Sequence, residues 1–129
     1  MQDFDAADGL LDMLEWSEAV IFDSLHEAYR AGGGEGAAAR EFARRHCRAW
    51  RALIAGDIGE YEVRREDLVR ALEGSGFGAD CAAQADALTL MELNEIVAAR
   101  FQRSPRLARG YRLALVALAA RLAPTDHAA

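Results

Sequence analysis

The stretch SPRLARGYRLALVALAARL, residues 104–122, decides the fold class. Ser104 offers a side-chain oxygen to the first free N–H groups of a helix. Pro105 follows at the first helical position, where its missing N–H costs nothing. From there Leu107, Tyr111, Leu115, Leu118 and Leu122 recur at three- and four-residue steps, the period of one helical face. Leu113, Val116 and Ala120 form a second apolar stripe, and Pro124 ends the segment. Gly110, Ala114 and Ala117 between the stripes are small enough to let another helix approach closely. Two apolar stripes on a terminal helix are more than one small core needs. Either both are internal, or the second packs on a copy of the chain.

The preceding segments read the same way. Residues 89–102 place Leu90, Leu93, Val97 and Phe101 on one stripe of a helix that Asp80 is expected to cap. A helix from Tyr61 carries Val63, Leu68, Val69 and Leu72, and stops at Gly74-Ser75-Gly76. Another begins near Ala37 and ends before Gly56, with Phe42, Ala43, His46, Trp50, Leu53 and Ile54 in phase. Gly32-Gly33-Gly34-Glu35-Gly36 cannot hold a helix cheaply and reads as a connection. Ahead of it, residues 4–16 set Phe4, Leu10, Leu11 and Leu14 on a stripe. Ser17 then opens a second helix with Val20, Ile21, Leu25, Ala28 and Tyr29. The expectation is an all-α fold of five to six helices with short connections, residues 1–129 forming one domain.

Composition agrees and narrows the function. The 129 residues are 52% hydrophobic and 28% charged, a globular balance. The 15 basic residues, all arginine, face 21 acids, for a net charge of -6. Nucleic acid is therefore not an expected partner. No apolar run approaches the roughly 20 residues of a membrane span, and residues 1–5 lack a basic leader region. Two cysteines, Cys47 and Cys81, make no disulfide framework, so a cytoplasmic protein is expected.

Chemistry-bearing motifs are few. His46 and Cys47 are adjacent and point apart on a helix, and no CxxC or HxxxH pair occurs, so no metal site is expected. His46 at a core-facing phase reads as a hydrogen-bonded internal histidine. Glu60, Glu62, Glu66 and Asp67 alternate with Arg64, Arg65 and Arg70 and read as a solvated, ion-paired face. No nucleophile has a base at a usable spacing. Neither an enzyme nor a cofactor is expected.

The central run Trp50-Arg51-Ala52-Leu53-Ile54-Ala55-Gly56, with Ile58, Tyr61 and Arg64/Arg65 and then Gly76-Phe77, resembles the middle of the sensor globins. Those are the haem domains of globin-coupled sensors and some chemoreceptors. The helix from Ser17 and the last two helices are similar to that family's second helix and its two dimer-forming terminal helices. The resemblance implies a globin-like fold and a role as an input module of bacterial signalling assemblies. At the position of the haem-ligating histidine this chain has Leu72, with Val69 and Ala71 nearby and no histidine between Cys47 and Asp126. Leucine has no lone pair for iron. The expected function is a haemless signalling or regulatory module acting through a homodimer and an unknown signalling partner. Its candidate interface is Leu113, Val116, Ala117 and Ala120. The alternative is a sensor holding haem (through His46 or His26) or another apolar ligand in a pocket lined by Trp50, Leu53, Leu72 and Phe77. An unrelated helical adaptor is a further reading.

Overall fold

A computed structural model of the chain describes residues 6–33, 36–77 and 80–122. Five helices follow in order: α1 (Ala6–Ala31), α2 (Gly36–Ile54), α3 (Ile58–Gly74), α4 (Asp80–Arg100) and α5 (Pro105–Leu122). The described residues contain no strand, so the fold is all-α. Phe4, Gly34, Glu35, Ala123, Pro124 and His127 lie outside the described residues, as do the side chains of Leu10, Leu11 and Leu14.

The expected break at Ser17 does not occur: α1 runs unbroken through it. The physical reason is that no glycine or proline lies between Leu10 and Ala31, and a lone serine inside a run of good helix formers costs only a few tenths of a kcal/mol. α3 also begins earlier than Tyr61. Its N-cap is Asp57, whose carboxylate accepts the Glu60 N–H at 3.1 Å.

Two helices stop by the same device. After α2, Gly56 takes φ +88°, and the N–H groups of Gly56 and Asp57 return to the carbonyls of Leu53 and Ala52 at 3.0 and 2.9 Å. After α3, Gly76 also takes φ +88°, with Gly76 and Phe77 returning to Glu73 and Leu72 at 3.3 and 2.9 Å. Both are helix stops that need a residue without a Cβ in the left-handed region. The Gly-Phe pair therefore has a local cause, which is to end α3 and turn Phe77 back over the core, edge-on to Phe42 at 5.1 Å.

α1 sits at the centre, packed against α2, α4 and α5, whereas α3 packs chiefly on α2 and α4 packs on α5. α1 contributes Ile21, Leu25 and Tyr29 to the core. From α5 come Tyr111, Leu115, Leu118 and Leu122, with Phe101 of the preceding turn stacked on Tyr111 at 4.6 Å. Leu107 in the first turn of α5, expected on that same face, is 40% exposed. Gly110 and Ala114 are buried inside the chain's own packing, so they are not available to a second copy.

Candidate functional site

Four helices converge on one carboxylate. Asp86 of α4 is 5% exposed and accepts at both oxygens. His46 Nε2 lies 2.6 Å and Trp50 Nε1 2.8 Å from Oδ1, and Arg65 donates to Oδ2 at 2.9 Å. The relay continues through the imidazole, whose Nδ1 is 2.6 Å from the Tyr29 hydroxyl. α1 thus contributes Tyr29, α2 contributes His46 and Trp50, α3 contributes Arg65 and α4 contributes Asp86. Nearby, Thr89 donates to Ser24 Oγ at 3.2 Å, a second polar tie between α4 and α1.

The charge distribution follows from burial and contact. Burial alone would raise the Asp86 carboxyl. The His46 hydrogen bond and charge, the Arg65 guanidinium and the Trp50 N–H outweigh it and hold the carboxyl below the usual carboxylate range. An ionised carboxylate only accepts, so His46 Nε2–H and Trp50 Nε1–H donate to it. Nδ1, on the other side of the ring, is hydrogen-bonded to the Tyr29 hydroxyl. Burial, and next the Asp86 charge, push the Tyr29 phenol well above its ordinary value and keep that hydroxyl protonated. Burial opposes the Arg65 charge, but the Asp86 carboxylate more than restores it.

A pH dependence follows with a definite sign. The folded protein holds Asp86 ionised where the unfolded chain, near pKa ~3.9, begins to bind a proton. This stability is present above the unfolded pKa and is lost as pH falls through the folded one. The urea midpoint is expected to hold between pH 7 and pH 5 and to drop steeply below about pH 4. A midpoint that stays level down to pH 2 would contradict the assignment.

Chemically the relay is closed. His46 and Tyr29 are 0% and 1% exposed, and both imidazole nitrogens are engaged. Only Arg65, with 21% of its side chain exposed, reaches the surface, at a groove it lines with Tyr61, Glu62 and Val69. The arrangement can bind four helices to one charge. It offers no free base or nucleophile to a substrate.

The four residues expected to line an apolar pocket lie in or against the packed core. Trp50, Leu53 and Leu72 are buried, and Phe77 packs partly buried against them. Neither Leu72 nor His46 is placed to ligate a haem iron. Leu72 is wholly buried at the position where the resemblance would put the ligand, and α3 packs directly on α2. The His46 nitrogens are spent on Tyr29 and Asp86. The ring of His26 lies against Phe22 at 5.8 Å, with a buried Nε2 that has no hydrogen-bond partner among the described residues. A hemin titration is expected to give no saturable one-to-one Soret shift, and a stoichiometric shift lost in His26→Ala would overturn this.

The candidate interface residues are separated by their surroundings. Leu113 and Val116 are 58% and 66% exposed, Ala120 is exposed and Ala117 half-buried. The sequence reading misses Asp86 and misplaces Arg65. It counts Arg65 with the solvated face of α3, whereas the side chain turns inward to Asp86. Each carries a periodic signal, however. Asp86 falls in phase with Ala82, Thr89, Leu93 and Val97, and Arg65 with Tyr61, Leu68 and Leu72, all of them buried. A charged residue on an apolar stripe must find a partner inside. Comparison with protein families, curated proteins and solved structures finds no match to this chain.

Proposed function

We propose that this chain is a haemless signalling or regulatory module of sensor-globin-like type, working through a homodimer and protein contacts rather than through catalysis. The observation that carries the reading is the outward stripe of α5. Leu113 and Val116 lie more than half exposed on a helix whose opposite face is fully used by the core. Large apolar side chains repeated along one exposed helix face are the usual mark of an interface. The closed polar relay supports the non-catalytic part, since its histidine has no ring nitrogen left for a substrate. The resemblance in residues 50–77 supports the globin-like part.

Sedimentation tests the dimer. The wild type is expected to self-associate, with a stable contact burying more than ~1,000 Å² in total. Val116→Arg is expected to sediment as a monomer that circular dichroism shows to be folded, because a side chain 66% exposed tolerates a charge. A wild type that is monomeric at every accessible concentration would overturn the proposal. A Val116→Arg variant that associates like wild type would remove the α5 stripe from the contact.

A further inference from the structure

α5 carries Arg106, Arg109, Arg112 and Arg121 and no acidic residue. Arg109 lies on the exposed stripe one turn before Leu113, and Arg112 lies beside it, both exposed. Neither has an ion pair among the described residues. Pairing α5 with α5 across a two-fold axis would bring these like charges together with no opposite charge on either helix.

The opposite character occurs elsewhere on the same chain. α1 and α4 enclose an open groove of about 470 Å³, with Val20, Ala28, Ala31 and Leu88 as its apolar surface and Asp23, Glu27 and Glu92 as charged rim. Leu88 is 48% exposed, and Met91, one turn on, is 59% exposed. Asp23 and Glu92 have no ion pair among the described residues, and Glu27 meets only the exposed Arg30. The lengths also agree. From Val20 to Ala31 along α1, and from Arg109 to Ala120 along α5, the span is about 16 Å at a rise of ~1.5 Å per residue.

We propose that the α5 stripe of one copy docks in the α1/α4 groove of a second copy. Leu113 and Val116 lie on Leu88 and Val20, and Arg109 and Arg112 lie against Asp23, Glu27 and Glu92. This rests on the homodimer reading above and replaces self-pairing of α5 with a plug and a socket. Reciprocal docking about a two-fold axis closes a dimer with two identical contacts, and one-sided docking would leave open chains.

Charge exchange tests it in the full chain by sedimentation velocity, with circular dichroism confirming that each variant is folded. Glu92→Arg and Arg109→Glu are each expected to weaken self-association about tenfold, and the double variant to restore it. The wild-type contact should also weaken between about 0.05 and 0.5 M salt, as the screening length falls from roughly 14 to roughly 4 Å. If Arg109→Glu strengthens association while Glu92→Arg leaves it unchanged, α5 pairs with α5; this inference fails and the homodimer stands. A double variant as weak as the singles also overturns the pairing of these two surfaces. A wild type that never associates removes the homodimer itself, a result distinct from both.

Discussion

Replacing Asp86 with alanine is expected to lower the protein's stability by about 3–5 kcal/mol and its urea midpoint with it. The carboxylate is the sole shared acceptor for His46, Trp50 and Arg65, and its removal strands three donors from two helices at once. His46 and Trp50 are fully buried, so water cannot replace the lost acceptor. Arg65 keeps a charge in a position that is mostly covered. Breaking a buried, hydrogen-bonded charge cluster by removing one partner costs about 3–5 kcal/mol. A domain of this size has only ~5–15 kcal/mol in total. The check is a urea titration followed by far-ultraviolet circular dichroism. Asp86→Asn is expected to fall between wild type and alanine, because an amide oxygen can still accept while its charge is gone. An Asp86→Ala variant with a wild-type midpoint would show that the four helices do not depend on this carboxylate.

Truncating Trp50 to alanine is the second large effect. The indole is wholly buried among the core residues of α2 and its neighbours, and its N–H is bonded to Asp86. Removing it empties a large volume and costs about 3–5 kcal/mol, as aromatic-to-alanine changes in cores do. Trp50→Phe separates the two contributions. It keeps most of the apolar burial and loses the bond to a charged acceptor, worth about 1.5–3 kcal/mol. The expected order of urea midpoints is wild type, then phenylalanine, then alanine. A phenylalanine variant as unstable as alanine would make the hydrogen bond the larger part. An alanine variant that melts like wild type would contradict the core placement altogether.

Both predictions turn on a residue pair that periodicity treats unequally. Trp50 is legible from residue spacing, because Phe42, His46, Leu53 and Ile54 share its face and an indole in that phase must go inward. Asp86 is only half legible, because its phase with Ala82, Thr89, Leu93 and Val97 says that it faces inward but not what it meets there. Arg65 is misread. In the run of alternating charges 60–70, the one arginine that turns inward is marked only by its phase with Tyr61, Leu68 and Leu72. Its partner is 21 residues away on another helix, and only packing brings them together.

The sequence by itself determined the helical class, the position of the stops at Gly56 and Gly76, the entry of α5 at Pro105 and the inward face of α2. These depend on interactions within about five residues: side-chain periodicity, backbone freedom at glycine and the missing N–H of proline. The tertiary structure alone decided that Asp86 is the meeting point of four helices, and that Leu113 and Val116 stay outside while Gly110 and Ala114 go in. These outcomes depend on which helix lies beside which. A stripe of apolar residues specifies that a face wants burial, but the number of neighbouring helices limits how many such faces the core can take.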